Sequence, residues 1–293
     1  MRFLTFCHDQ RIRLGLAAGN QVVDLALADP SLHSEVRTFI EAGTPALAGA
    51  RRLLRRLAAG EVDARAIHRA TDLELLSPVP HPSKVVAVGV NYLDHCREAG
   101  IEPPDSPVLF AKFSTAVIGP AQPIVWDPEL TNKVDYEAEL AVVIGTEARH
   151  IPAERALDVV FGYMCANDVS ARDLQRSDGQ WVRAKSLDTF CPLGPHLVTA
   201  DETPDPGALR IASRVNGVTM QDSSTSEMLF GVPVLIEFIT RAFTLLPGDV
   251  ILTGTPAGVG AYRKPALFLQ HGDVVEIEIE GLGVLRNPCH ELA

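Results

Sequence analysis

One stretch constrains the fold of this 293-residue chain more than any other: Val134-Asp135-Tyr136-Glu137-Ala138-Glu139-Leu140-Ala141-Val142-Val143-Ile144-Gly145. Strand side chains alternate between faces. Asp135, Glu137 and Glu139 therefore share one face, with Val134, Tyr136, Ala138, Leu140 and Val142 on the other. The run continues into Leu-Ala-Val-Val-Ile, which suits a strand covered on both sides. Acids entering such a strand are costly unless something neutralises them. Residues two apart on one face stand roughly 6–7 Å apart, so two carboxylates there can converge on one hard cation. The alternative is a half-exposed strand whose acids face water, and the pattern alone leaves both open.

A third acid comes from Phe161–Asp173, where an apolar strand ends at Asn167-Asp168 and Ser170 is placed to cap the next helix. Asp168 there suits a ligand or a turn residue. In Asn91–Glu98, His95 and Glu98 are three apart and would face each other on a helix. A carboxylate accepting the imidazole N–H raises its basicity, as a proton-transferring base requires. A surface ion pair has the same spacing.

Residues 1–75 read as a small N-terminal α/β unit, with strands at Arg2–Phe6, Ile12–Ala17 and Val22-Val23 and a helix near Leu47–Ala59. Arg51, Arg52, Arg55 and Arg56 fall opposite Leu53, Leu54 and Leu57 and read as a solvated face. The turn-rich Ser77–Pro82 separates this unit from a catalytic domain over residues 76–293. That domain is expected to be α+β and β-rich. It starts with a buried strand at Lys84–Val90, has a type I′ hairpin at Asn216-Gly217 and a helix at Val232–Leu245, and ends in a hairpin pairing Val274–Ile279 with Val284–Arg286.

Hydrophobic residues make up 46% of the chain and charged residues 22%, enough for a sizeable core. A net charge of −11 argues against a nucleic-acid or anionic-membrane partner. Met1–Phe6 is too short for a signal-peptide core, and no window reaches the ~20 apolar residues of a membrane helix. Cys7, Cys96, Cys165, Cys191 and Cys289 are scattered, with no Cys-x-x-Cys. They read as reduced thiols, and the expected location is the cytoplasm.

Five motifs, in order, resemble the fumarylacetoacetate hydrolase family over about residues 84–290. They are Val88-Gly89-Val90-Asn91-Tyr92 with His95 and Glu98, Asp135–Leu140, Asn167–Gln175, Ala184–Phe190 and Thr253–Gly260. The resemblance implies a mixed β-roll or sandwich with flanking helices, a small N-terminal domain and a homodimer. It implies that Glu137, Glu139 and Asp168 hold Mg²⁺ or Mn²⁺, and that His95 and Glu98 form a water-activating dyad on a short lid helix. It gives Lys185 the developing enolate, Gln175 a place near the reacting carbonyl and Thr255 the substrate carboxylate. Arg172 and Tyr92 follow as further substrate-binding residues. Lys112 is left as a cation without a role, its plain reading a surface charge at a strand end.

The implied reaction is hydrolysis of a carbon–carbon bond in a 2,4-dioxo acid of the acylpyruvate or fumarylpyruvate type, giving pyruvate and a carboxylic acid. The alternative is a decarboxylase or isomerase of oxaloacetate, 2-hydroxydienoic or 2-oxo dioic acids, as in aromatic catabolism. All need an enolate stabilised by a Lewis acid and a cation, and only hydrolysis needs an attacking water. Two positions depart from the family pattern. Ala184 replaces a glycine before Lys185, and Ala261–Gln270 forms an extension that would affect substrate choice if it lay at the pocket mouth.

Overall fold

The computed structural model describes residues 1–292. The acid-bearing strand, Ala138–Ile144, is buried at every residue and lies inside a twelve-stranded sheet. It pairs antiparallel with Val160–Asn167 on one side and with Val250–Leu252 on the other. Both faces are covered, which explains the unbroken apolar run. Ala138, Leu140, Val142 and Ile144 join a core shared with Ile211 and Ile277 and with Leu235, Ile236 and Ile239 of the helix Val232–Ala242. Ala141 and Val143 join a second core with Phe3, Phe39, Ala50 and Leu53.

Around this centre the sheet runs Ile67–Arg69, Gln21–Asp24, Arg11–Ala18, Arg2–His8, Cys191–Thr199, Val160–Asn167, Ala138–Ile144, Val250–Leu252, Val85–Gly89 and Val108–Lys112. Glu74–Leu76 and Val117–Ile118 pair off this path. The N-terminal strands thus continue the sheet of the larger part of the chain: Arg2 stands opposite Val198 and Phe3 opposite Leu197. The helix Gly43–Ala58 packs Ala46, Ala50 and Leu53 against the second core and leaves Arg51, Arg52 and Arg55 in solvent.

A five-stranded sheet, Val218–Ser224, Arg210–Val215, Val274–Ile279, Gly283–Glu291 and Ile124–Trp126, lies over the first core. Its Asn216-Gly217 turn has φ of 52° and 77°, both positive as a type I′ turn requires. Among the described residues no helix is long and apolar enough to cross a membrane.

Two local expectations are corrected. Ser170 does not cap a helix. It lies in the short strand Ser170–Ala171 and its hydroxyl donates to the Asp168 carbonyl, while the helix Arg172–Asp178 has no side-chain cap. The acidic stretch is not one continuous strand either, because Val134–Asp135 pairs separately with Ser170–Ala171 before Ala138 joins the sheet.

Candidate active site

Three hydrogen bonds donated by backbone N–H groups fix the carboxylates. Glu137 and Asp168 sit at the ends of adjacent segments, where the Asp168 N–H donates to the Glu137 carbonyl at 2.9 Å. The Glu137 N–H donates to the Asn167 side-chain oxygen at 2.9 Å. Glu139, two residues on, accepts from the Gly254 N–H at 2.8 Å. Ligand oxygens of Glu137, Glu139 and Asp168 all lie within 4.8 Å of one another, and all three residues are buried.

Three buried cations surround this cluster. Lys185 donates to Glu137 at 2.6 Å and to Asp168 at 2.8 Å. Arg172 donates through Nε to Asp135 at 2.8 Å, and its Nη2 stands 2.6 Å from Glu137. The third is Lys112, a cation to which the sequence assigns no role and whose plain reading is a surface charge at a strand end. It is fully buried, donates to Asp168 at 2.5 Å and also binds the Lys185 carbonyl. Nothing local signalled this, since Lys112 and Asp168 are 56 positions apart and meet only when the sheet forms.

Burial alone would raise the Glu137 pKa, but the charges of Lys185 and Arg172 outweigh it and hold the carboxyl well below its usual range. Glu139 goes the other way. It is 1% exposed, and burial together with the Asp168 and Glu137 charges pushes it well up. No cation side chain among the described residues pairs directly with it. A divalent ion held by Glu137, Glu139 and Asp168 would supply the missing charge, so the residues present fit a hard divalent metal.

The proton-transfer candidates come from a separate element. His95 and Glu98 lie on the helix Leu93–Ala99, with His95 Nδ1 3.4 Å from Glu98 Oε2. Glu98 also accepts from the Gly258 N–H at 3.0 and 3.1 Å, and the His95 ring meets the Tyr262 ring edge-on at 5.6 Å. The helix is thereby fastened to the glycine-rich loop. Gly260 cannot be replaced there without disturbance, because an added Cβ would stand 1.9 Å from the Leu267 carbonyl oxygen and 2.6 Å from Asp135.

One cavity of about 250 Å³ is lined by His95, Glu137, Glu139, Asp168, Arg172, Gln175, Lys185 and Thr255, while Glu98 stands behind His95 and does not line it. Its size lies below the roughly 300–1,000 Å³ of pockets for drug-sized ligands and suits a small acid. Ala261 and Tyr262, the first residues of the extension seen in the sequence, line the same cavity. Tyr92 does not line it; it is fully buried in the first core.

Sequence reading also missed Gln221, whose amide donates to Thr255 Oγ1 at 2.8 Å and whose oxygen accepts from the Ala138 N–H. Because Thr255 already accepts this bond, its own hydrogen is free to donate into the cavity. Trp181 and Phe110 form an aromatic wall, with ring centroids 5.4 Å apart.

The model of the fumarylacetoacetate (FAA) hydrolase C-terminal domain matches residues 84–290, a span that contains every site residue above. The chain belongs to the fumarylacetoacetate hydrolase family. It is 45% identical over 280 residues to the mitochondrial oxaloacetate tautomerase fahd2 of Xenopus laevis, covering 95% of this chain and 85% of the relative. The structure of fumarylacetoacetate hydrolase from psychrophilic Exiguobacterium antarcticum is 39% identical with a TM-score of 0.86, both chains being covered in full. That of maleylpyruvate hydrolase from Sphingobium sp. SYK-6 is 31% identical with a TM-score of 0.80, again over all of both chains. As a family member the chain is an enzyme of small oxo acids, and its relatives include hydrolases and tautomerases alike.

Proposed function

We propose that this enzyme is metal-dependent and moves a proton between C3 and the C2 oxygen of an oxaloacetate-like 2-oxo dicarboxylate. The observation that carries the reading is the shared cavity, which is lined both by the imidazole of His95 and by the Lys185–carboxylate cluster. Glu137, Glu139 and Asp168 would hold Mg²⁺ or Mn²⁺, which supplies Lewis acidity toward a chelating 2-oxo acid. His95 takes the C3 proton, and Glu98, held by Gly258, stabilises the imidazolium. The Lys185 ammonium offsets the negative charge that develops on the C2 oxygen. Protonation of that oxygen by the imidazolium or by solvent completes the enol. Thr255 donates its free hydrogen to the C1 carboxylate, with Arg172 and Gln175 beside it. The extensive likeness to an oxaloacetate tautomerase supports this reading above cleavage.

Hydrolysis of an acylpyruvate is the second reading, favoured by the His95–Glu98 pair, which could equally activate a water. Product analysis on purified, metal-loaded protein separates the two. Faster loss of the oxaloacetate enol, with acylpyruvates left intact, supports proton transfer. Release of pyruvate and a carboxylic acid from an acylpyruvate, with no effect on oxaloacetate, sinks it.

A further inference from the structure

The cavity floor is densely paired, but its mouth carries a cation left over from that pairing. Arg176 lines the same cavity as Glu137 and His95 and is exposed. It lies on the helix Arg172–Asp178, four residues after Arg172, so the two share a face about one turn, ~6 Å, apart. Arg172 is 7% exposed and bound to the floor carboxylates, so this helix climbs from floor to mouth. Both acids of the helix are engaged elsewhere. Asp178 accepts from Arg183 at 2.6 and 2.7 Å, and Asp173 from Thr131 at 2.6 Å. Among the described residues Arg176 has no ion pair. Around it the mouth is mostly apolar, with Ile101, Trp181 and Tyr262.

A 2-oxo acid seated with its 2-oxo carboxylate end on the floor directs its far end to this mouth. We infer that Arg176 binds the distal carboxylate of the substrate and so selects dicarboxylic over monocarboxylic 2-oxo acids. A guanidinium presents two parallel N–H donors that match a carboxylate, and the aromatic neighbours thin the water that would screen the pair. The inference rests on the 2-oxo-acid reading above and adds the substrate's second charge to it.

Calorimetry on Mn²⁺-loaded protein tests it with two unreactive four-carbon 2-hydroxy acids that differ only at the distal end, malate and 2-hydroxybutyrate. The wild type is expected to bind malate roughly 10- to 100-fold tighter, the range for a hydrogen bond to a charged group. Arg176→Met should bring that ratio to about one, and Arg176→Lys, which keeps the charge but loses the fork, should give an intermediate ratio. An unchanged ratio in Arg176→Met overturns the inference and leaves the proposed function standing. Equal weakening of both ligands also overturns it, because Arg176 would then act only through its long-range field. Binding of neither acid to the wild type removes the 2-oxo-acid reading itself.

Discussion

The Lys185 ammonium stands 2.6 Å from the Glu137 carboxylate, placing a buried cation directly on a candidate metal ligand. The same ammonium reaches Asp168, so it ties together two of the three acids while Glu139 is left to a backbone N–H. Replacing Lys185 with Met should therefore affect catalysis and stability differently. We expect kcat to fall about 10²- to 10³-fold, the usual loss when one charge-stabilising donor is removed. The metal-free variant should lose about 3–5 kcal/mol of stability, because two buried carboxylates lose a partner. Added Mn²⁺ should recover much of that loss, read as the change in Tm with metal concentration.

Glu139→Gln should behave in the opposite way. It replaces a buried carboxyl whose ionisation burial, Asp168 and Glu137 all oppose, so the metal-free Tm should hold or rise. Mn²⁺ should raise the Tm of the wild type and barely move that of the variant. EDTA should return the wild-type protein to its metal-free Tm.

Gly260→Ala should detach the glycine-rich loop from Asp135, which accepts from the Gly260 and Ala261 N–H groups at 2.7 and 3.0 Å. A cost of about 1–3 kcal/mol is expected from overpacking. The loss of kcat/KM should exceed what the remaining folded fraction explains, because this loop carries the Gly258 N–H that holds Glu98. Denaturant unfolding and steady-state kinetics on the same sample check both parts.

Acid should weaken the fold through two histidines that do not line the cavity. Burial lowers the pKa of His68, helped by His8, and burial with the nearby Arg2 charge lowers that of His196. Below about pH 6.5 the unfolded chain binds protons at these rings that the folded chain still refuses, so stability falls with pH there. Between about pH 7 and about pH 5.5 the Tm of the wild type should drop more steeply than that of a His68→Gln/His196→Gln double variant.

Much of the site was legible because its signals are local. Period-two spacing placed Glu137 and Glu139 on one face, and the three-residue step brought His95 to Glu98. What stayed hidden depends on pairing between distant segments. Lys112 reads as an ordinary strand-end lysine until the edge strand Val108–Lys112 comes within reach of Asp168. Asp135 shares a face with Glu137 and Glu139 in the period-two pattern, yet the break after Val134–Asp135 turns it toward Arg172 and the Gly260 loop. The joining of the N-terminal strands to the main sheet follows from one contact of Arg2–His8 with Cys191–Thr199, which no window of sequence contains. Composition and motifs could not choose between proton transfer and hydrolysis, because both need the same cation cluster and the same base.

The most direct test of the central claim is deuterium exchange at C3 of oxaloacetate, followed by NMR in D₂O with and without Mg²⁺ or Mn²⁺. The account predicts exchange that the wild-type protein accelerates only with metal, that EDTA abolishes, and that His95→Ala slows by about 10²-fold or more. Exchange no faster than in buffer, from a metal-loaded protein that readily cleaves acylpyruvates, would contradict it.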